Sequence, residues 1–218
     1  MKSLNQYIKE KLIINKDYHD DKIIVKSFDE LRKIIEDRYD KLGPGTEQKP
    51  INFNDIDVSN IDSFYDIYKR RYKGGIFQAT KFKYIDISYW DVSNVKSTRH
   101  MFNDCDELES VGDISCWDVS NVTDMAYMFA FCEKFNQDIS DWDVSNVINM
   151  YSMFEECKFF NQDISDWDVS NVINMSYMFE CCESFNQDIS KWNVSNVRYH
   201  SAMFYNCPIK EEYKPKFK

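Results

Sequence analysis

A cassette of the form F-N-Q-D-I-S-x-W-x-V-S-N-V-x-x-M-x-x-M-F-x-x-C recurs down the C-terminal part of the chain. Trp90, Trp117, Trp142, Trp167 and Trp192 mark the copies, at separations of 27, 25, 25 and 25 residues. A fixed period in this range marks a chain whose copies stack, each burying its apolar side chains against the copies before and after it. One copy alone buries too little to offset the entropy of ordering its backbone, so the array is expected to fold as a unit.

Two spacings follow one another within a copy. In Ile139-Ser140-Asp141-Trp142-Asp143-Val144 the apolar residues fall as L-x-x-L-x-L, the strand pattern of a leucine-rich repeat. Met150, Met153, Phe154, Cys157 and Phe160 then recur at three and four, one face of a short helix. Asn149 stands at the N-cap position, as do Ser63, Ser97, Asp124 and Asn174 in other copies, while Tyr199 departs from the rule. The pattern predicts an α/β repeat solenoid, leucine-rich-repeat-like, of about six coils with one short strand and one short helix in each.

Residues 1–50 are unlike the rest and read as an N-terminal helical cap. Ser27-Phe28-Asp29-Glu30 matches a capping box that opens SFDELRKIIEDRYDKL, with Phe28, Leu31, Ile34, Ile35 and Tyr39 on one face. Gly43-Pro44-Gly45 stops that helix, and a shorter one is expected between Leu4 and Leu12. Residues 51–85 are a degenerate first coil with an insertion around Lys73-Gly74-Gly75; Ile56 takes the Trp position, Phe64 and Ile67 the Met positions, and Arg71 the Cys position. Residues 86–207 carry the regular repeats, and residues 208–218, opening at Pro208, form a tail.

The net charge of -10 and pI near 4.8 argue against nucleic acid, which draws its affinity from clustered Lys and Arg, and favour a basic or neutral protein partner. The one basic run, Lys69-Arg70-Arg71-Tyr72-Lys73, reads as the solvated flank of the first coil. No apolar stretch approaches the length of a membrane span. Lys9, Glu10 and Lys11 interrupt the place where the apolar core of a signal peptide would lie, so a cytoplasmic or virion-associated location is expected over secretion.

Cys105, Cys132, Cys157, Cys182 and Cys207 share one cassette position and are expected as buried thiols, spread along the stack instead of converging on zinc. Cys116 and Cys181 fall outside that position and are the candidate reactive thiols. His19, His100 and His200 form no nucleophile pair that spacing can identify; His200 and Cys207 share the core-facing side. No catalytic residue, no cofactor and no enzymatic activity are expected.

The residues beside each Trp should line the outer face of the strands. After it come Asp91, Asp118, Asp143, Asp168 and Asn193, and before it Tyr89, Cys116, Asp141, Asp166 and Lys191. Like charges one rung apart repel unless something relieves them. Three readings stay open: a solvated face whose aspartates bond to their own turns, a docking surface for a basic partner, and a calcium ladder, which would lack the usual glycine-rich pattern.

The run D-I-S-x-W-x-V-S-N-V followed by M-x-x-M-F-x-x-C-x-x-F-N-Q resembles the BspA-like leucine-rich-repeat surface proteins, in the mycoplasmal lipoprotein-associated repeat branch. The likeness covers residues 86–207 closely and 51–85 loosely. It implies a right-handed coil stack used for adhesion or protein-protein interaction, with no catalytic residues to carry over. Two departures stand out: Val95, Val122, Val147, Val172 and Val197 replace the usual Asn or Cys at the strand turn, and the opening residues do not read as the export signal expected of surface members. The expected function is a non-catalytic interaction or adhesion module presenting an acidic face; the alternative is a structural component of a virion or envelope, anchored by the N-terminal helix.

Overall fold

In a computed structural model of the chain, residues 22–65, 75–77 and 80–217 are described. The expected helix between Leu4 and Leu12, the basic run from Lys69 to Lys73, His19 and Ile67 lie outside the described residues. Among those that are described the elements are β1 (Ile23–Ile24), α1 (Phe28–Leu42), β2 (Ile51–Asn52), β3 (Ile56–Asp57), β4 (Ile85–Asp86) and a short 3-10 turn, Glu211–Tyr213. β1 pairs parallel with β3, with Ile23 opposite Ile56. β2 pairs parallel with β4, with Ile51 opposite Ile85.

α1 forms where the capping box placed it. Ser27 Oγ accepts the Glu30 N–H, and the Glu30 carboxylate accepts the N–H of Lys26. Gly43 ends the helix at φ 73°, its N–H bonded to the Tyr39 carbonyl. The inner face buries Leu31, Arg32 and Ile35. Arg32 donates to the Gly75 carbonyl at 2.6 Å, and Arg38 grips the Asp55 carboxylate with both terminal nitrogens, at 2.7 and 2.6 Å. Gly75 has no room for a side chain: a Cβ there would lie 1.7 Å from the His100 carbonyl oxygen.

The leucine-rich-repeat-like solenoid of six coils, each with a strand and a helix, is not what the chain builds. Apart from α1 there is no α-helix among the described residues, and the named strands form two two-stranded sheets confined to the N-terminal half. The reason lies in two backbone positions per cassette. His100 and Asp104, Tyr127 and Phe131, Ser152 and Glu156, Tyr177 and Cys181, and Ala202 and Asn206 all have φ between 52 and 62°. Left-handed residues four apart cannot continue an α-helix. The Met128 N–H closes a turn on Met125 and the Cys132 N–H one on Phe129, each with a left-handed third residue, which is the type II arrangement.

The N–H groups between those closures reach across to the following copy. Met125, Tyr127, Phe129 and Phe131 donate to the carbonyls of Asn149, Tyr151, Met153 and Glu155, at 2.7 to 3.0 Å. Single parallel bridges then run Ser63 to Ser97, Asp124, Asn149, Asn174 and Tyr199. The residues expected as helix N-caps do cap, but cap a turn: Asp124, Asn149 and Asn174 each accept the N–H two residues on. The expected strand through the Trp is likewise broken by turns, with Trp142 N–H bonded to Ile139 O and Val147 N–H to Val144 O.

Like residues of successive copies therefore contact one another. Phe102, Phe129, Phe154, Phe179 and Phe204 stack at 5.5 to 5.9 Å between ring centroids. Phe135, Phe160 and Phe185 form a second file at 5.9 to 6.0 Å. The cassette's polar letters serve the same register. Asn121, Asn146, Asn171 and Asn196 each donate their amide to the Ser carbonyl of the copy before, at 2.7 to 2.8 Å. The Asn136 side-chain oxygen accepts the N–H of Asn161, and Asn161 that of Asn186.

Candidate interaction face

The residues beside each Trp sit on turns, not on a sheet face. Asp91, Asp118, Asp141, Asp143, Asp166, Asp168, Cys116, Lys191 and Asn193 are exposed, and Tyr89 is half-buried. Of the three readings left open, the first describes the geometry directly. Asp91, Asp118, Asp143 and Asp168 accept the N–H of Ser93, Ser120, Ser145 and Ser170 at 3.0 to 3.1 Å, and Asn193 accepts that of Ser195 at 3.3 Å. Asp138, Asp163 and Asp188 repeat the device one turn earlier. Hydrogen bonds from the Ser170 hydroxyl and N–H hold the Asp168 carboxyl below the usual carboxylate range.

The row is thus a set of self-satisfied turns that still carries exposed negative charge. No group of three or more His, Cys, Asp or Glu among the described residues is placed to hold a metal ion. No helix among them is long and apolar enough to cross a membrane.

The cysteines of the cassette point inward as spacing predicted, and each finds a carbonyl. Cys105, Cys132, Cys157 and Cys182 are buried and donate to Phe77, Phe102, Phe129 and Phe154 at 2.9 to 3.0 Å. Burial pushes the Cys132, Cys157 and Cys182 thiols well up. Cys207 is half-buried and reaches Phe185 O at 3.6 Å. Burial also raises the Cys181 thiol, which works against reactivity there, whereas Cys116 is exposed beside Ser115.

Neither of the described histidines is paired with a nucleophile. His100 hydrogen-bonds Asn103 at 2.9 Å and stacks on Tyr127, and burial lowers its pKa. His200, expected to face the core, is exposed and stacks on Phe217 at 4.1 Å, whereas Cys207 is half-buried and reaches Phe185 O.

A second file of residues escaped the sequence reading. Tyr65, His100, Tyr127, Tyr151 and Tyr177 form a half-buried column on the surface, with successive ring centroids 5.3, 4.4, 5.0 and 5.5 Å apart. The Arg99 guanidinium lies 5.6 Å from the Tyr65 ring and 5.3 Å from the Tyr127 ring, with Asp124 at 3.6 Å. Tyr151 sits one cassette position ahead of Tyr127 and Tyr177, so aligning the copies letter by letter hides the column. The signal that would have found it is tyrosine enrichment within two adjacent positions.

The family model described as a Mycoplasma protein of unknown function, DUF285, matches residues 51–110, 73–168 and 142–214. No curated protein and no solved structure matches the chain.

Proposed function

We take as premise that the chain belongs to the Mycoplasma family of unknown function whose model its repeats match, and propose that it is a non-catalytic protein-protein interaction module of the BspA-like kind. Its partner is a basic protein, met by the acidic row Asp118, Asp143 and Asp168 and its varied neighbours Cys116, Asp141, Asp166 and Lys191. The observation that supports this reading is the exposure of those carboxylates at one cassette position in consecutive copies, on a chain of net charge -10. The turns below hold them in place, so little ordering entropy is lost when a partner docks.

Charge has to be removed without breaking the turn. Asn193 shows that an amide holds the same turn, accepting the Ser195 N–H. The double substitution Asp143→Asn and Asp168→Asn is therefore expected to keep the melting temperature within a few degrees and to weaken binding of a basic partner. Unchanged binding in a pull-down from the native host would remove this face from consideration.

A further inference from the structure

The tyrosine column already holds one cation of its own chain. Arg99 already occupies its first half, lying over Tyr65 and Tyr127 and paired with Asp124. A guanidinium within 6 Å of two aromatic rings and beside a carboxylate is a favourable arrangement for a cation partly withdrawn from water. The second half has the rings and the carboxylates without the cation. Tyr151 meets Tyr127 and Tyr177 at tilts of 55 and 63°, so no ring stacks flat on Tyr151 or Tyr177, whereas Tyr127 is already stacked on His100. The next rung supplies no ring, because the Tyr177 N–H meets the Ser201 carbonyl and the residue after is Ala202.

Acidic residues follow the same rungs. The Phe131 N–H bonds to Glu155 O and the Glu156 N–H to Glu180 O, so Glu155, Glu156 and Glu180 lie on adjacent copies a few residues past the tyrosines. The neighbouring surface pairs its charges, as Lys158 does with Glu133 at 2.7 Å and Lys134 with Glu109 at 3.1 Å. Among the described residues no ion pair reaches Glu155, Glu156 or Glu180, and no cation lies over Tyr151 or Tyr177.

We infer that the strip formed by Tyr151 and Tyr177 with Glu155 and Glu180 receives arginine side chains of a basic partner polypeptide, as Tyr65 and Tyr127 with Asp124 receive Arg99. The assignment rests on the protein-binding reading above and adds the tyrosine column as a second contact beside the aspartate row. Arginine fits better than lysine because its planar guanidinium can stack and bond to a carboxylate at once.

The test titrates the full chain, at physiological ionic strength, with a fluorescein-labelled oligo-arginine peptide and an oligo-lysine peptide of equal length. Tyr177→Leu, which leaves every charge in place, and the pair Glu155→Gln with Glu180→Gln are each expected to weaken oligo-arginine binding on the order of tenfold. Tyr177→Phe keeps the ring and binds as the parent does, which guards against a folding artefact. Oligo-lysine binds more weakly throughout. If the Asp143→Asn, Asp168→Asn pair weakens binding while the tyrosine and glutamate variants do not, this inference falls and the aspartate face stands. If oligo-arginine does not bind, or binds every variant alike, both fall.

Discussion

The indole N–H of Trp142 donates to the carbonyl of Ile114 at 2.9 Å, a bond between successive copies. Trp167 and Trp192 repeat it onto Ile139 and Ile164, and Trp90 onto Phe53. Trp117 is the exception: its N–H is buried without a partner. The copy before it is two residues longer than the others, as the 27-residue interval records. Replacing Trp142 by Phe removes a made hydrogen bond, whereas Trp117→Phe removes only an unmade one. Trp142→Phe should therefore cost about 1 kcal/mol more, read from urea denaturation midpoints. Trp142→Ala, which also opens a cavity, should cost about 3–5 kcal/mol.

Ala202 holds a left-handed φ of 52° in the last copy and is exposed, so little but its own methyl group stands against that conformation. Ala202→Gly should stabilise the protein by about 0.5 to 1 kcal/mol, the left-handed penalty exceeding the extra chain entropy of glycine. Ala130 is buried and has no positive φ, so Ala130→Gly should destabilise by a similar amount. A thermal melt of the two variants side by side checks the sign of each.

These backbone positions mark where sequence reasoning stopped. The stacking of like residues, the inward Trp, Met-Phe and Cys positions and α1 with its cap were all legible, because each depends on apolar spacing or on a short capping signal. The Phe53 carbonyl bonds to Trp90 and stands three residues before Ile56, as Ile114 stands three before Trp117, so even the faint first copy follows the alignment on Ile56. The helix and strand were not there to be read. Met150, Met153, Phe154 and Cys157 have helical spacing, yet so does a train of turns whose N–H groups alternate between closing a turn and crossing to the next copy. The usual cue for left-handed backbone is glycine, and these positions carry His, Asp, Tyr, Phe, Ser, Glu, Cys, Ala and Asn. In the aspartate row, the Asp-x-Ser spacing that makes each turn is visible in the sequence, but the apolar alternation around Trp has the same period as a strand and masks it.

Glu155 sits among like charges and is partly withdrawn from water; burial first, then Glu180 and Glu156, raise its pKa above the ordinary 4.5. A carboxyl whose folded pKa is raised binds more protons folded than unfolded between those two values, so stability falls as pH rises through that interval. Its contribution is unfavourable at neutral pH and absent below the unfolded pKa. Glu155→Gln should raise the melting temperature at neutral pH, and the gain should vanish under acid. Asp163, Asp168 and Asp188 behave in the opposite sense: bonds from Ser165, Ser170 and Ser190 depress them below 3.8, so their contribution is present above that value and lost as pH falls.

Thiol labelling can ask whether the copies open together. Cys116 is exposed and should react with a small disulfide reagent in the folded protein. Cys132, Cys157 and Cys182 are buried, bonded to carbonyls of the copy before, and have thiols raised well up by burial. Because each is tied to a neighbour, exposing one means breaking the contact between two copies, and nearest-neighbour coupling then loosens the rest. In rising urea the three should become reactive at one midpoint that coincides with loss of tryptophan burial by fluorescence. Cys182 reacting well before Cys132 would show that the last copies peel away first, and would divide the stack into independently opening parts.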